Sequence, residues 1–114
     1  MRVTSDLFVS ALLRRVFSGG GFGAVISRGA TEAGAVFVIW RERTGEAILY
    51  APAAQASYDS ARPDERMFRE LARGEGTDMD ARLEKERRFD SDIWIVEIEA
   101  GGKSPETMLA IAQS

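Results

Sequence analysis

The sequence predicts an α+β domain: a mixed, mainly antiparallel sheet of four to five strands with an N-terminal helix and a second helix on one face, in the order α-β-β-β-(β)-α-β-α. Three observations carry that expectation. Apolar residues recur at helical spacing from Phe8 to Phe17, the period drops to two from Phe22, and Ala35 to Arg43 is β-branched and aromatic on both faces.

Thr4 or Ser5 caps the first helix, with Asp6 favourably placed in its first turn. Phe8, Val9, Leu12, Leu13, Val16 and Phe17 form its apolar face, and Asp6, Ser10, Arg14 and Ser18 the polar one. Ser18-Gly19-Gly20-Gly21 ends it, because glycine takes the left-handed C-cap conformation without strain. Alternation over Phe22, Ala24 and Ile26 predicts a first strand ending near Arg28, with a connection over 29–33. The second strand, rich in Val36, Phe37, Val38, Ile39 and Trp40, reads as central. Thr44-Gly45 is a hairpin signal, and Glu46 to Tyr50 returns as the third strand.

Pro52 and Pro63 bound a loop over 51–64, in which Tyr58-Asp59 is a pocket-lining candidate. Residues 66–73 fit either a helix face (Met67, Phe68, Leu71, Ala72) or an alternating strand; an edge strand follows naturally from the third strand. Thr77 or Asp78 caps a surface helix to about Phe89, buried chiefly through Met79 and Leu83. Asp92 to Glu99 is the last strand, with Trp94, Val96 and Ile98 on one face. Ser104-Pro105 starts a short terminal helix. Residues 1–100 are thus expected to form one domain and 101–114 an extension.

Composition excludes more than it names. Among 114 residues there is no Cys and no His, which removes disulfides, thiolate nucleophiles, imidazole bases and His-ligated metals. A net charge of −3 gives no field for DNA, and counts against RNA binding on an exposed sheet. The apolar run Leu7 to Leu13 is broken by Ser10 and followed by Arg14 and Arg15, too short for a span and reversed for a signal peptide, so the cytoplasm is the expected location. Thirteen of the 15 basic residues are Arg, a usage in keeping with a GC-rich genome rather than with a site.

Leu7–Arg15, Ala33–Val38 and above all Arg88-Phe89-Asp90-Ser91-Asp92-Ile93-Trp94-Ile95-Val96-Glu97-Ile98-Glu99 together resemble a family of small alphaproteobacterial proteins known as domain of unknown function 1491. The resemblance covers roughly residues 3 to 100 and implies a bacterial cytoplasmic protein. It implies no activity, cofactor or catalytic residue.

Candidate chemistry is sparse. Gly19-Gly20-Gly21-Phe22-Gly23-Ala24 matches a loose GxGxxA pattern, but it follows a helix and opens a strand, the reverse of a dinucleotide fingerprint. No cofactor is expected. Asp90 and Asp92 with Glu97 and Glu99 are the tight carboxylate group; Asx capping at 90–92 and the strand distance to Glu97 argue against a metal. Lys85 and Lys103 sit in polar surroundings, unsuited to a Ser–Lys dyad. No catalytic residues are assigned. The leading expectation is a non-enzymatic binding or accessory domain that forms a homodimer through a sheet edge or the terminal segment Met108, Leu109 and Ile111. The alternative is a small-molecule or anion-binding enzyme working through Arg and carboxylates. If the first two strands form a hairpin, Arg41 faces Gly21 and Arg43 faces Gly19, next to Arg14 and Arg15. Four guanidinium groups and the amides of Gly19, Gly20 and Gly21 then converge as an anion site.

Overall fold

The computed structural model describes residues 3–54 and 66–112. Tyr58, Asp59 and most of the expected 51–64 loop lie outside the described residues. The chain runs α1 (Ser5–Ser18), β1 (Phe22–Ser27), β2 (Val36–Arg41), β3 (Glu46–Pro52), β4 (Met67–Glu75), α2 (Gly76–Phe89), β5 (Trp94–Glu99), a 3-10 turn (Pro105–Thr107) and β6 (Ala110–Ile111). The α+β class holds with six strands, more than the four to five expected.

The Thr4 hydroxyl accepts the Leu7 N–H at 3.2 Å and caps α1. Val9, Leu12 and Val16 are buried, while Phe17, assigned to the apolar face, is 52% exposed. At the other end Gly20 adopts φ +86°, and the Gly20 and Gly21 N–H groups donate to Phe17 O and Val16 O at 3.0 and 2.9 Å. This is a Schellman ending, and Gly20 rather than Gly19 is its left-handed residue.

The strand order is β1-β5-β2-β3-β4-β6. β1 and β2 form no hairpin; β5 lies between them, antiparallel to β1 (Phe22↔Glu99) and parallel to β2 (Val36↔Trp94, Trp40↔Ile98). The connection after β1 crosses the entry to β5 instead of turning back. Ala30 N–H donates to Asp92 O at 2.9 Å, and the indole N–H of Trp94 donates to Ala30 O at 2.8 Å. A Cβ at Gly29 or Gly34 would lie 2.2 or 2.5 Å from Asp92 O, so only glycine permits this approach.

The helices lie on opposite faces, not on one. α1 packs with Val36, Val38, Trp40, Trp94, Val96 and Ile98. Met79 and Leu83 of α2 pack with Phe37, Ile39, Leu49, Ile93 and Ile95. The reason is in β2 and β5: both alternate apolar with apolar, so each face needs its own cover. Burial of each large side chain contributes about 1.5–3 kcal/mol, and both Trp40 and Trp94 are 1% exposed.

Residues 66–73 are strand, within β4. The expected terminal helix is only the three-residue 3-10 turn; beyond it Leu109 enters the α1-side core and β6 pairs parallel with Met67 and Phe68. Tyr50, near the end of β3, is buried at 3%. Among the described residues no helix is long and apolar enough to cross a membrane.

Candidate functional site

Three turns meet at one end of the sheet: Gly19–Gly21 after α1, the β2–β3 hairpin around Thr44, and Gly101–Gly102 after β5. They wall a cleft of about 510 Å³. Gly101 and Gly102 have φ +64° and +97°, and Lys103 N–H donates to Ala100 O, which folds Lys103 back onto α1. Its ammonium donates to Gly19 O at 2.8 Å, at the negative end of the helix dipole.

Arg41, Arg43, Gly20 and Gly21 line this cleft, but with β5 between the two strands that carry them. Arg14 does not line it, and Arg15 donates through Nη2 to Met108 O at 3.0 Å. The register that would set Arg41 opposite Gly21 is replaced by Arg41↔Ala47 and Phe22↔Glu99.

The proposed anion donors are largely engaged within the chain. Gly19, Gly20 and Gly21 donate their amides to Arg15 O, Phe17 O and Val16 O. Arg41 donates from Nε to Glu97 Oε1 and from Nη2 to Asp80 Oδ1, both at 2.7 Å. Burial acts to lower the Arg41 pKa, but the hydrogen bonds and charges of Asp80 and Glu97 outweigh it, and the net shift is upward. Arg43 is exposed and has no such partner among the described residues.

Sequence reasoning missed Glu97 and Asp80 as the partners of Arg41, and Lys103 as the group that folds onto Gly19. Parallel pairing of β2 with β5 brings Glu97 next to Arg41, and no local period announces it. The double glycine before Lys103 is a readable turn signal. Asp90 acts as the Asx cap foreseen, its Oδ1 accepting Asp92 N–H at 3.0 Å. Among the described residues no three acidic, His or Cys side chains converge on a metal position.

A second cleft of about 450 Å³ opens between the C-terminal half of α2 and the sheet. Phe37, Leu71 and Ile93 floor it, and Phe89 stands at its rim, 93% exposed.

The two edges of the sheet differ in chemistry. Among the described residues β4 is covered by β6 only at Met67 and Phe68. Past that point it carries Arg69, Glu70, Arg73 and Glu75, with Arg73 forked onto Glu70 at 2.8 and 2.6 Å. This fork lowers the Glu70 carboxyl pKa. Such charges protect an edge from pairing. β1, Phe-Gly-Ala-Val-Ile-Ser, carries no charge and no proline. Phe22 and Ile26 are 50% and 53% exposed, and Phe17 stacks edge-on against Phe22 with ring centroids 6.1 Å apart. A bulge between Val25 and Ser27 twists the end of the strand.

Fold and site together define a small three-layer α+β protein whose described residues form two helices and a six-stranded mixed sheet, with one apolar edge that none of them covers. A family model described as a protein of unknown function (DUF1491) matches residues 3–106, and the chain belongs to that family. A protein from A. tumefaciens, solved in solution, is 48% identical with TM-score 0.83, over 100% of this chain and 98% of that one. The crystal structure of a DUF1491 family protein from Caulobacter crescentus CB15 is 33% identical with TM-score 0.79, over 96% of this chain and 99% of its own. Both sources are alphaproteobacteria. No curated protein matches the chain.

Proposed function

We propose that this chain is a non-enzymatic binding module of the cytoplasm that works through the β1 edge. The observation that carries the reading is the uncharged strand Phe22–Ser27, flanked by half-exposed Phe17, Phe22 and Ile26, on a protein whose sequence is 29% charged. An exposed apolar strand edge offers both backbone hydrogen bonds and side-chain pockets to an incoming strand. Aromatic side chains beside it supply the contact area on which interface energy concentrates. The turn cleft supports an accessory role rather than catalysis, since its most buried charge, Arg41, is held between two carboxylates of the same chain.

Site-specific photocrosslinking in the bacterium tests this. A benzophenone side chain at position 22 is expected to give adducts, to itself or to another protein, that the same group at the exposed Glu84 on α2 does not. Adducts from position 84 with none from 22 would contradict it.

A further inference from the structure

We infer that the occupant of the β1 edge is the β1 strand of a second copy of this chain, paired antiparallel about a two-fold axis normal to the sheet. This inference rests on the edge reading above and names its partner. Such an axis keeps each face of the sheet on its own side, so the α1 layers of both copies lie together and the six-stranded sheets join into one of twelve.

The strand is self-complementary in that arrangement. Centred on Ala24, it sets Ala24 against its own copy, Gly23 against Val25, and Phe22 against Ile26 at both ends. Aromatic against β-branched is a favourable cross-strand pair, and neither side brings a charge to repel its twin. The β4 edge differs in being charged: about a two-fold, its arginines and glutamates meet like charges in some registers and opposite charges in others, so it has no uncharged self-pairing surface.

The small residues at the centre, Gly23 and Ala24, let the backbones close. The bulge leaves Ile26 without a register partner on β5, so the regular part of the strand is Phe22–Val25 and Ile26 closes the pairing at its irregular end. A standard interface takes about 800 Å² per partner, and the described surface is 7079 Å². A few paired residues with the half-exposed side chains of Phe17, Phe22 and Ile26 fall well short of the roughly 20–30 residues a side of that class, so the dimer is a weak one, of roughly tens of micromolar affinity.

The absence of Cys from the sequence gives a clean test. Directly opposed strand residues are about 4.5–5.5 Å apart at Cα, within disulfide range. Ala24→Cys should therefore oxidise rapidly to a covalent dimer, and exposed Ser10→Cys should not. In sedimentation velocity the wild-type chain should pass from monomer to dimer across roughly micromolar to hundred-micromolar concentration. Ile26→Lys should remain monomeric with an unchanged far-ultraviolet spectrum. A wild-type monomer throughout, with no Ala24→Cys dimer, overturns the self-pairing. If position 22 still crosslinks to another protein, the edge reading stands and only the choice of partner fails. A dimer that Ile26→Lys leaves intact also overturns it, because association then lies elsewhere.

Discussion

Removing the Arg41 side chain tests the topology and the electrostatics of the turn cleft together. Its guanidinium ties β2 to Glu97 on β5 and to Asp80 on α2, so one group spans three elements. The side chains of Arg41 and Glu97 are 25% and 20% exposed, whereas Asp80 is 52% exposed. The Glu97 contact is therefore the stronger of the two. A charge-assisted hydrogen bond contributes about 1.5–3 kcal/mol, and a stranded, fully buried partner costs about 3–5 kcal/mol. Partial exposure reduces that penalty, so Arg41→Ala is expected to lose about 2 kcal/mol, or about 8 °C in Tm for a domain of this size. In double-mutant cycles from urea denaturation, Arg41 and Glu97 should couple by about 1–2 kcal/mol, and Arg41 and Asp80 by under about 1 kcal/mol. The denaturant slope m should not change. Coupling to Glu97 below about 0.3 kcal/mol would refute the reasoning, because it would remove the parallel β2–β5 pairing that places the two together.

Three further outcomes follow from particular contacts. Gly34→Ala places a Cβ 2.5 Å from Asp92 O and should destabilise by well over about 1 kcal/mol; a neutral result in thermal melts would mean the 28–35 connection does not cross β5 as described. Burial, and secondarily the charge of Glu70, raise the Tyr50 pKa above its ordinary 10.0, so the neutral phenol is the favoured folded form. Its contribution is complete below pH 10.0 and lost as pH rises through the raised value. Alkaline unfolding should be less steep in Tyr50→Phe, and identical profiles would contradict this. Phe89→Ser, at a side chain 93% exposed, should shift stability by no more than about 0.5 kcal/mol, and a larger loss in denaturant titration would show that Phe89 packs against something.

Local pattern carried most of the fold into view. The helical period of Val9, Leu12 and Val16, the glycines that end α1, the two-faced β2 and the Thr44-Gly45 hairpin all depend on neighbours in sequence. What stayed hidden depends on distant ones. Trp94 pairs beside Val36, and the local pointers to that arrangement are Gly29 and Gly34, whose meaning is the room they leave for Asp92 O. The opposite placement of the helices was legible in principle, since Val36, Val38 and Trp40 face one way and Phe37 and Ile39 the other. β6 is two residues long, below the length at which alternation can register. In the candidate site, sequence placed Arg41, Arg43 and the glycines at one end of the sheet for a reason that the strand order replaces. The carboxylates that hold Arg41 come from β5 and α2, which no register argument from the first two strands reaches.

Amide hydrogen exchange along β1, followed by NMR over a range of protein concentrations, tests the binding-edge account most directly. In an isolated chain the amides of Phe22–Ser27 that point away from β5 have no partner strand among the described residues and should exchange fast. If the edge is the working surface and a second copy occupies it, those amides gain protection as concentration rises through the dimer transition, while the outward amides of β4 over 69–75 do not change. Exchange along β1 that is independent of concentration, in a sample that nonetheless dimerises, would place the interface elsewhere and contradict the account.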